Sequence, residues 1–248
     1  MTSKEPKIKL FFIRHGFSCA NYKSLQGIFD LVCNSFRLDP HLADIGIKDL
    51  ERYRKIIRKD INPDYVFSSS LLRALETAQI LFPESTVNVA PYIGEHGISL
   101  GSIPSKPSEQ LRYLNPDKVK YLYLGKEDRI NTLDTLFKNR KPKYCKSSFQ
   151  KFLKWLKKRI PLDKDLTIAV VGHSNFMRHM LNDLGMSNSS EKIMNAGIIE
   201  MSLSKDFVPY TKGCKPIENV NKKGYYKYPC YGIKFRGIPN PQCKVMNC

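Results

Sequence analysis

The sequence predicts a three-layer α/β fold: a mostly parallel central sheet with helices on both faces. Two observations lead there. Apolar runs at residues 10–13 (LFFI), 65–67 (YVF) and 166–172 (LTIAVVG) lack the alternation of a sheet with one wet face and suit parallel strands covered on both sides. Each run also ends in a polar junction, and the second and third junctions feed clear helical stretches, which is the βα alternation of such folds.

The first run ends in Arg14, His15 and Gly16. Gly16 is expected to let the backbone turn sharply and to bring main-chain donors toward whatever Arg14 and His15 hold. Residues 22–36 show no dominant period. Asp39 and Pro40 mark a turn, and Asp44 is placed to cap a helix over residues 45–59, with Leu50, Tyr53, Ile56 and Ile57 as its apolar positions. Asn62 and Pro63 end it. The second strand leads through three serines into LLRALETAQILF, which Pro83 stops. Its junction delivers Arg73.

Residues 85–92 (STVNVAPY) read as strand and run into a loop of Gly94, Glu95, His96 and Gly97. Residues 99–147, rich in Pro, Tyr and Lys, read as an insertion with helix around 108–114 and 133–138. Phe149, Phe152, Leu153, Leu156 and Ile160 then fall at helical spacing, with Lys151, Lys154, Lys157 and Lys158 mostly off that stripe; the apolar side is expected to pack on the sheet. The LTIAVVG strand ends in His173 and Ser174 before another helix, NFMRHMLNDL. Residues 198–203 form one more expected strand, and the Lys-, Tyr-, Pro- and Cys-rich remainder reads as irregular.

With 248 residues the chain can bury a sizeable core without disulfides. No secretory leader is evident, and nothing approaches the ~20 apolar residues of a membrane span. Seven cysteines without a secretory signal argue for reduced thiols and a cytoplasmic location. The net charge of +18 is concentrated: residues 138–159 hold ten basic residues and no acidic one, and residues 205–248 hold nine basic and two acidic. Two basic additions on a near-neutral body either attract polyanions and anionic substrates or simply solubilise the surface.

Three junctions should bring Arg14 with His15, then Arg73, then His173 to one edge of one sheet. In open α/β sheets that edge binds ligands. Arginine forks match phosphate oxygens, and a histidine held between them can attack phosphorus if its other ring nitrogen is fixed. The leaving alkoxide then needs a proton, and Glu95 is the best-placed acid. Taken singly, each residue also reads as an ordinary surface turn, helix start or loop carboxylate.

The sequence RHGFSCAN at residues 14–21 follows the pattern Arg-His-Gly-x-Ser-x-x-Asn, and with DPHLADIGIKD, SSSLLRALETA, PYIGEHG and VVGHSNFMRHML in that order it resembles the histidine phosphatase superfamily, in the phosphoglycerate mutase-like branch. The likeness spans about residues 7–203, within a single domain 1–248 carrying the insertion at about 99–147 and the basic tail 205–248. It implies His15 as the phosphorylated nucleophile, Arg14, Arg73 and His173 as holders of the phosphoryl oxygens, and Glu95 as proton donor. Asn21, and more weakly Ser18, would be further phosphate ligands. No metal and no cofactor is implied, and the expected substrate is a phosphorylated small molecule or phosphoprotein.

Departures favour a phosphatase over a mutase. Mutases usually carry Glu-Ser-x-Trp-Asn after Arg-His-Gly, where this chain has Phe17, Ser18, Cys19, Ala20 and Asn21. His96 competes with Glu95 as the acid. A third possibility is a catalytically weak phosphate- or polyanion-binding protein, suggested by the basic segments. Cys19 reads as a small residue packed behind the loop. Cys214, Cys230, Cys243 and Cys248 contain no Cys-x-x-Cys pair for zinc. Tyr226, Tyr228, Tyr231 and Phe235 among lysines suit nucleic-acid stacking, without a recognised motif.

Overall fold

The computed structural model describes residues 7–22, 38–95, 100–121, 147–185, 193–209, 225–228 and 233–236. The uniformly apolar runs become the inner strands of one sheet. Strand β1 (Ile8–Arg14) lies parallel to β5 (Leu166–Gly172), which lies parallel to β2 (Tyr65–Ser68). Outward from β2, β3 (Val87–Val89) and β4 (Val119–Lys120) continue the parallel pairing. On the other side of β1, β6 (Ile198–Leu203) runs antiparallel, followed by β8 (Ile233–Arg236) and β7 (Tyr225–Tyr228). The order is β4-β3-β2-β5-β1-β6-β8-β7.

Side chains alternate across these strands, so each face builds its own core. Ile8, Leu10 and Phe12 of β1 join Ile168 and Val170 of β5 under α5 (Phe149–Lys157) and α6 (Ser174–Asp183). Phe12 meets the ring of Phe149 edge-on at 5.9 Å and that of Phe152 at 6.3 Å. Phe11, Ile13, Ala169 and Val171 face the opposite layer, α2 (Asp44–Asp60) and α3 (Leu72–Leu81). The expected three layers are therefore present. The basic face of α5 lies outward, with Lys151, Lys154, Lys157 and Lys158 exposed. Among the described residues, no helix is long and apolar enough to cross a membrane.

Several local expectations change. Asp44 does not cap α2: it is the first helical residue, and the cap position is Ala43, which makes no side-chain bond. Ile56 is 58% exposed, because the buried stripe of α2 runs through Leu50 and Ile57. The strand expected over 85–92 is confined to Val87–Val89, the span that pairs with β2. Helix within the insertion is short, α4 (Pro107–Gln110), and the same segment supplies β4. The second expected helix there, around 133–138, lies outside the described residues. The tail is not wholly irregular: YYKY and IKFR, β-prone residues interleaved with lysines, pair as β7 and β8. Cys19 is buried beside Phe17 and Ala43, in a short helix α1 (Cys19–Tyr22). The tail cysteines, Tyr231 and His96 lie outside the described residues.

Candidate active site

Because β2, β5 and β1 are parallel neighbours, their carboxyl ends share one edge. Strand β1 delivers Arg14 and His15 there, and the main chain pins them: His15 N donates to Gly172 O at 2.9 Å and Arg14 N to Gly197 O at 2.9 Å. His15 is 2% exposed. Its Nδ1 lies 2.7 Å from Gly16 O, and Arg73 Nε lies 3.4 Å from its Nε2. A guanidinium only donates, so the bonding network assigns the proton to Nδ1 and a lone pair to Nε2. Burial, then the charges of Arg73, His173 and Arg14, hold the His15 pKa well below its ordinary value and keep the ring neutral.

The junction of β2 with α3 contributes Arg73, buried and donating through Nη1 to Gly101 O at 2.7 Å. The junction of β5 with α6 contributes His173. Its Nε2 is 2.8 Å from Ser69 Oγ, its Nδ1 has no hydrogen-bond partner, and burial followed by the two arginine charges depresses its pKa as well. Ser69 Oγ also accepts from Leu71 N at 3.4 Å, which fixes the hydroxyl beside the His173 ring. The rings of His15 and His173 have centroids 5.1 Å apart.

Glu95 follows β3, and its Oε2 is 3.8 Å from His173 Nδ1, beyond a hydrogen bond. The turn that carries it is tied down by Ser147 Oγ, which donates to Gly94 O at 2.7 Å. Arg14 donates through Nη1 to Ile193 O, while its buried Nε has no partner. Burial lowers the Arg14 pKa to about 10, with Glu95 opposing and Arg73 reinforcing the shift.

Thus Arg14, His15, Arg73, His173 and Glu95 come together. Ser18 and Asn21 lie alongside, bonded to each other: Ser18 N and Oγ donate to Asn21 Oδ1 at 3.1 and 3.0 Å. Asn195 Nδ2 donates to the same oxygen and to the carbonyls of His15 and Gly16 at 3.1, 3.1 and 2.9 Å. At Gly16 the constraint is packing and not backbone conformation. No left-handed φ is involved; an added Cβ would lie 2.6 Å from Leu50 Cδ1. Its N–H donates to Thr77 Oγ1 at 3.0 Å rather than facing a ligand.

Sequence reasoning missed Ser69, Asn195 and the buried carboxylate of Asp39. Ser69 sits in a serine run whose members look alike. Asn195 has no local signature. Asp39 reads as a turn residue, and it does adopt φ +42°, a left-handed conformation that Asp and Asn tolerate.

Among the described residues one group of three can hold a cation, His15, Glu95 and His173, whose ligand atoms lie within 4.8 Å of one another. Two buried guanidiniums stand against them, a field that repels a cation and draws an anion.

A family model of the histidine phosphatase superfamily (branch 1) matches residues 10–207. The chain belongs to this superfamily. No curated protein matches it significantly. Its solved structural neighbours include a phosphoglycerate mutase from Bacillus anthracis str. Sterne, 16% identical, with TM-score 0.51 and coverage of 82% of this chain and 91% of that one. A phosphoserine phosphatase from Entamoeba histolytica is 22% identical, with TM-score 0.42 and 78% and 90% covered. A mycobacterial glucosyl-3-phosphoglycerate phosphatase is 18% identical, with TM-score 0.48 and 80% and 93% covered. The likeness to the mutase structure identifies the shared superfamily fold.

Proposed function

We propose that the protein is a metal-independent phosphatase that hydrolyses phosphomonoesters through a phosphohistidine on His15. The observation that carries this reading is a neutral His15 whose Nδ1 is fixed on Gly16 O while Nε2 keeps its lone pair, beside two buried arginines and the partnerless Nδ1 of His173. Such a pocket supplies donors to a phosphoryl dianion and a nucleophile already oriented toward it.

In the first step His15 Nε2 forms a bond to phosphorus as the ester P–O bond breaks, with Arg14, Arg73 and the His173 Nδ1–H stabilising the equatorial oxygens. The departing alkoxide takes a proton from Glu95; a positioned acid contributes roughly 10²–10⁴-fold. In the second step water attacks the phosphohistidine, its proton passes to the Glu95 carboxylate, and the N–P bond breaks to release phosphate and neutral His15. Ser18, Asn21 and Asn195 hold the loop that presents the nucleophile.

Hydrolysis is preferred to mutase transfer because the mutase pattern's Glu position is Phe17, which is packed with Cys19 and Ala43 beneath the loop. The substrate is a phosphorylated small molecule or phosphoprotein. The test is to quench turnover in alkali and look for acid-labile phosphate on His15. His15→Ala is expected to lose turnover while binding vanadate; hydrolysis at the wild-type rate in that variant overturns the mechanism.

A further inference from the structure

A single buried carboxylate ties together both supports of Arg73. Asp39, 4% exposed, receives Leu72 N on Oδ1 at 2.8 Å. Its Oδ2 receives Ser105 N at 2.8 Å, Ser105 Oγ at 2.9 Å and Gln110 Nε2 at 2.7 Å. Leu72 opens α3, so the first bond fixes the helix end on which Arg73 is the next residue. Ser105 lies just after the single-turn segment Leu100–Ser102, whose Gly101 carbonyl receives the other side of the guanidinium. Gln110 extends the brace, donating also to Ser70 O at 2.6 Å and accepting from Tyr121 Oη at 2.8 Å.

Stability alone does not require four donors on one buried acid that joins these two segments. A carboxylate buried this deeply costs desolvation energy that an apolar residue would avoid, and here its negative charge also stands near the buried Arg73 cation. We infer that Asp39 is a positioning residue for Arg73, holding α3 and the Gly101 segment at the separation that aims the guanidinium at the phosphoryl group. The inference rests on the phosphatase reading above, since it gives Arg73 a phosphoryl ligand.

The natural probe is Asp39→Asn, because Asn keeps the left-handed backbone and nearly the same shape. Its single acceptor oxygen can serve only one of the two sets of donors. Vanadate affinity and kcat/KM on p-nitrophenyl phosphate are measured in wild type, Asp39→Asn, Arg73→Ala and the double variant. The expected result is a 10- to 100-fold loss of vanadate affinity for Asp39→Asn in the wild-type background and less than a 2-fold further loss when Arg73 is already Ala. Equal losses in both backgrounds mean that Asp39 acts on the fold generally and overturn the inference, as does unchanged vanadate binding. A wild type that does not bind vanadate overturns the phosphatase reading and this inference with it. Should Asp39→Asn not fold, Gln110→Met removes one donor from the same carboxylate and undergoes the same paired comparison, with the same outcomes deciding.

Discussion

His15 and His173 face each other with ring centroids 5.1 Å apart and planes inclined by 55°. Both rings are buried and neutral, so the positive charge of the pocket resides on Arg14 and Arg73. In the mechanism proposed above, one imidazole attacks phosphorus and the other donates to the same phosphoryl group.

Replacing Arg73 by Lys keeps a charge but removes the planar fork that spans His15 Nε2 and Gly101 O. We expect kcat to fall by roughly 10²–10³-fold, the range for losing one oriented transition-state donor. Steady-state kinetics on p-nitrophenyl phosphate checks this; a loss confined to KM would count against it.

Gly46 carries no Cβ because one would lie 2.0 Å from Phe17 O, where α2 meets the loop bearing His15. Gly46→Ala should destabilise the protein by about 1–3 kcal/mol or more through overpacking. Turnover should fall with it, since the carbonyl forced aside is two residues from the nucleophile. Urea denaturation and kinetics on the folded fraction read the two effects.

Burial raises the Glu76 pKa from 4.5 to about 7, with Asp39 adding to the shift and the bond from Leu42 N, at 2.7 Å, opposing it. The protonated form is favoured in the folded state, so the stability from this group is present below about pH 4.5 and is lost as pH rises through about 7. Glu76→Gln retains an acceptor for Leu42 N and should be more stable than wild type at pH 8 by roughly 1–3 kcal/mol, with the difference gone near pH 4. Thermal melts across that range provide the measurement; a pH-independent difference would contradict it.

Phe152 is fully buried under the sheet and packs on Phe12 at 6.3 Å. Phe152→Ala should cost about 3–5 kcal/mol. Activity of the remaining folded protein should be little changed at low temperature, because α5 contributes no group to the pocket. Denaturant midpoints and kinetics at 10–15 °C, a working range set by the need to keep the variant folded, separate the two.

The groups that converge in the pocket were legible because each ends or follows a strand: an apolar run announces the strand, and the residue after it inherits a place on the sheet edge. Arg14, His15 and His173 need nothing more than that. What surrounds them was not legible, because Asp39 reaches Ser105 and Gln110 across 66 and 71 positions with no shared period or spacing. Asn195 is separated from the loop it braces by 180 positions. The strands of the tail were hidden by composition, since lysines between tyrosines look like loop until a partner edge exists, and β6 supplies one.

His15 and His173 extend from β1 and β5, which are adjacent strands in register from Ile8 and Leu166 to Arg14 and Gly172. Neighbouring strands stand roughly 4.8 Å apart, close to the separation of the two rings. The sheet thus fixes the separation of the two backbone points from which these rings are presented. Under the proposed function, the two histidines meet the phosphoryl group from anchor points that belong to the sheet and not to any loop.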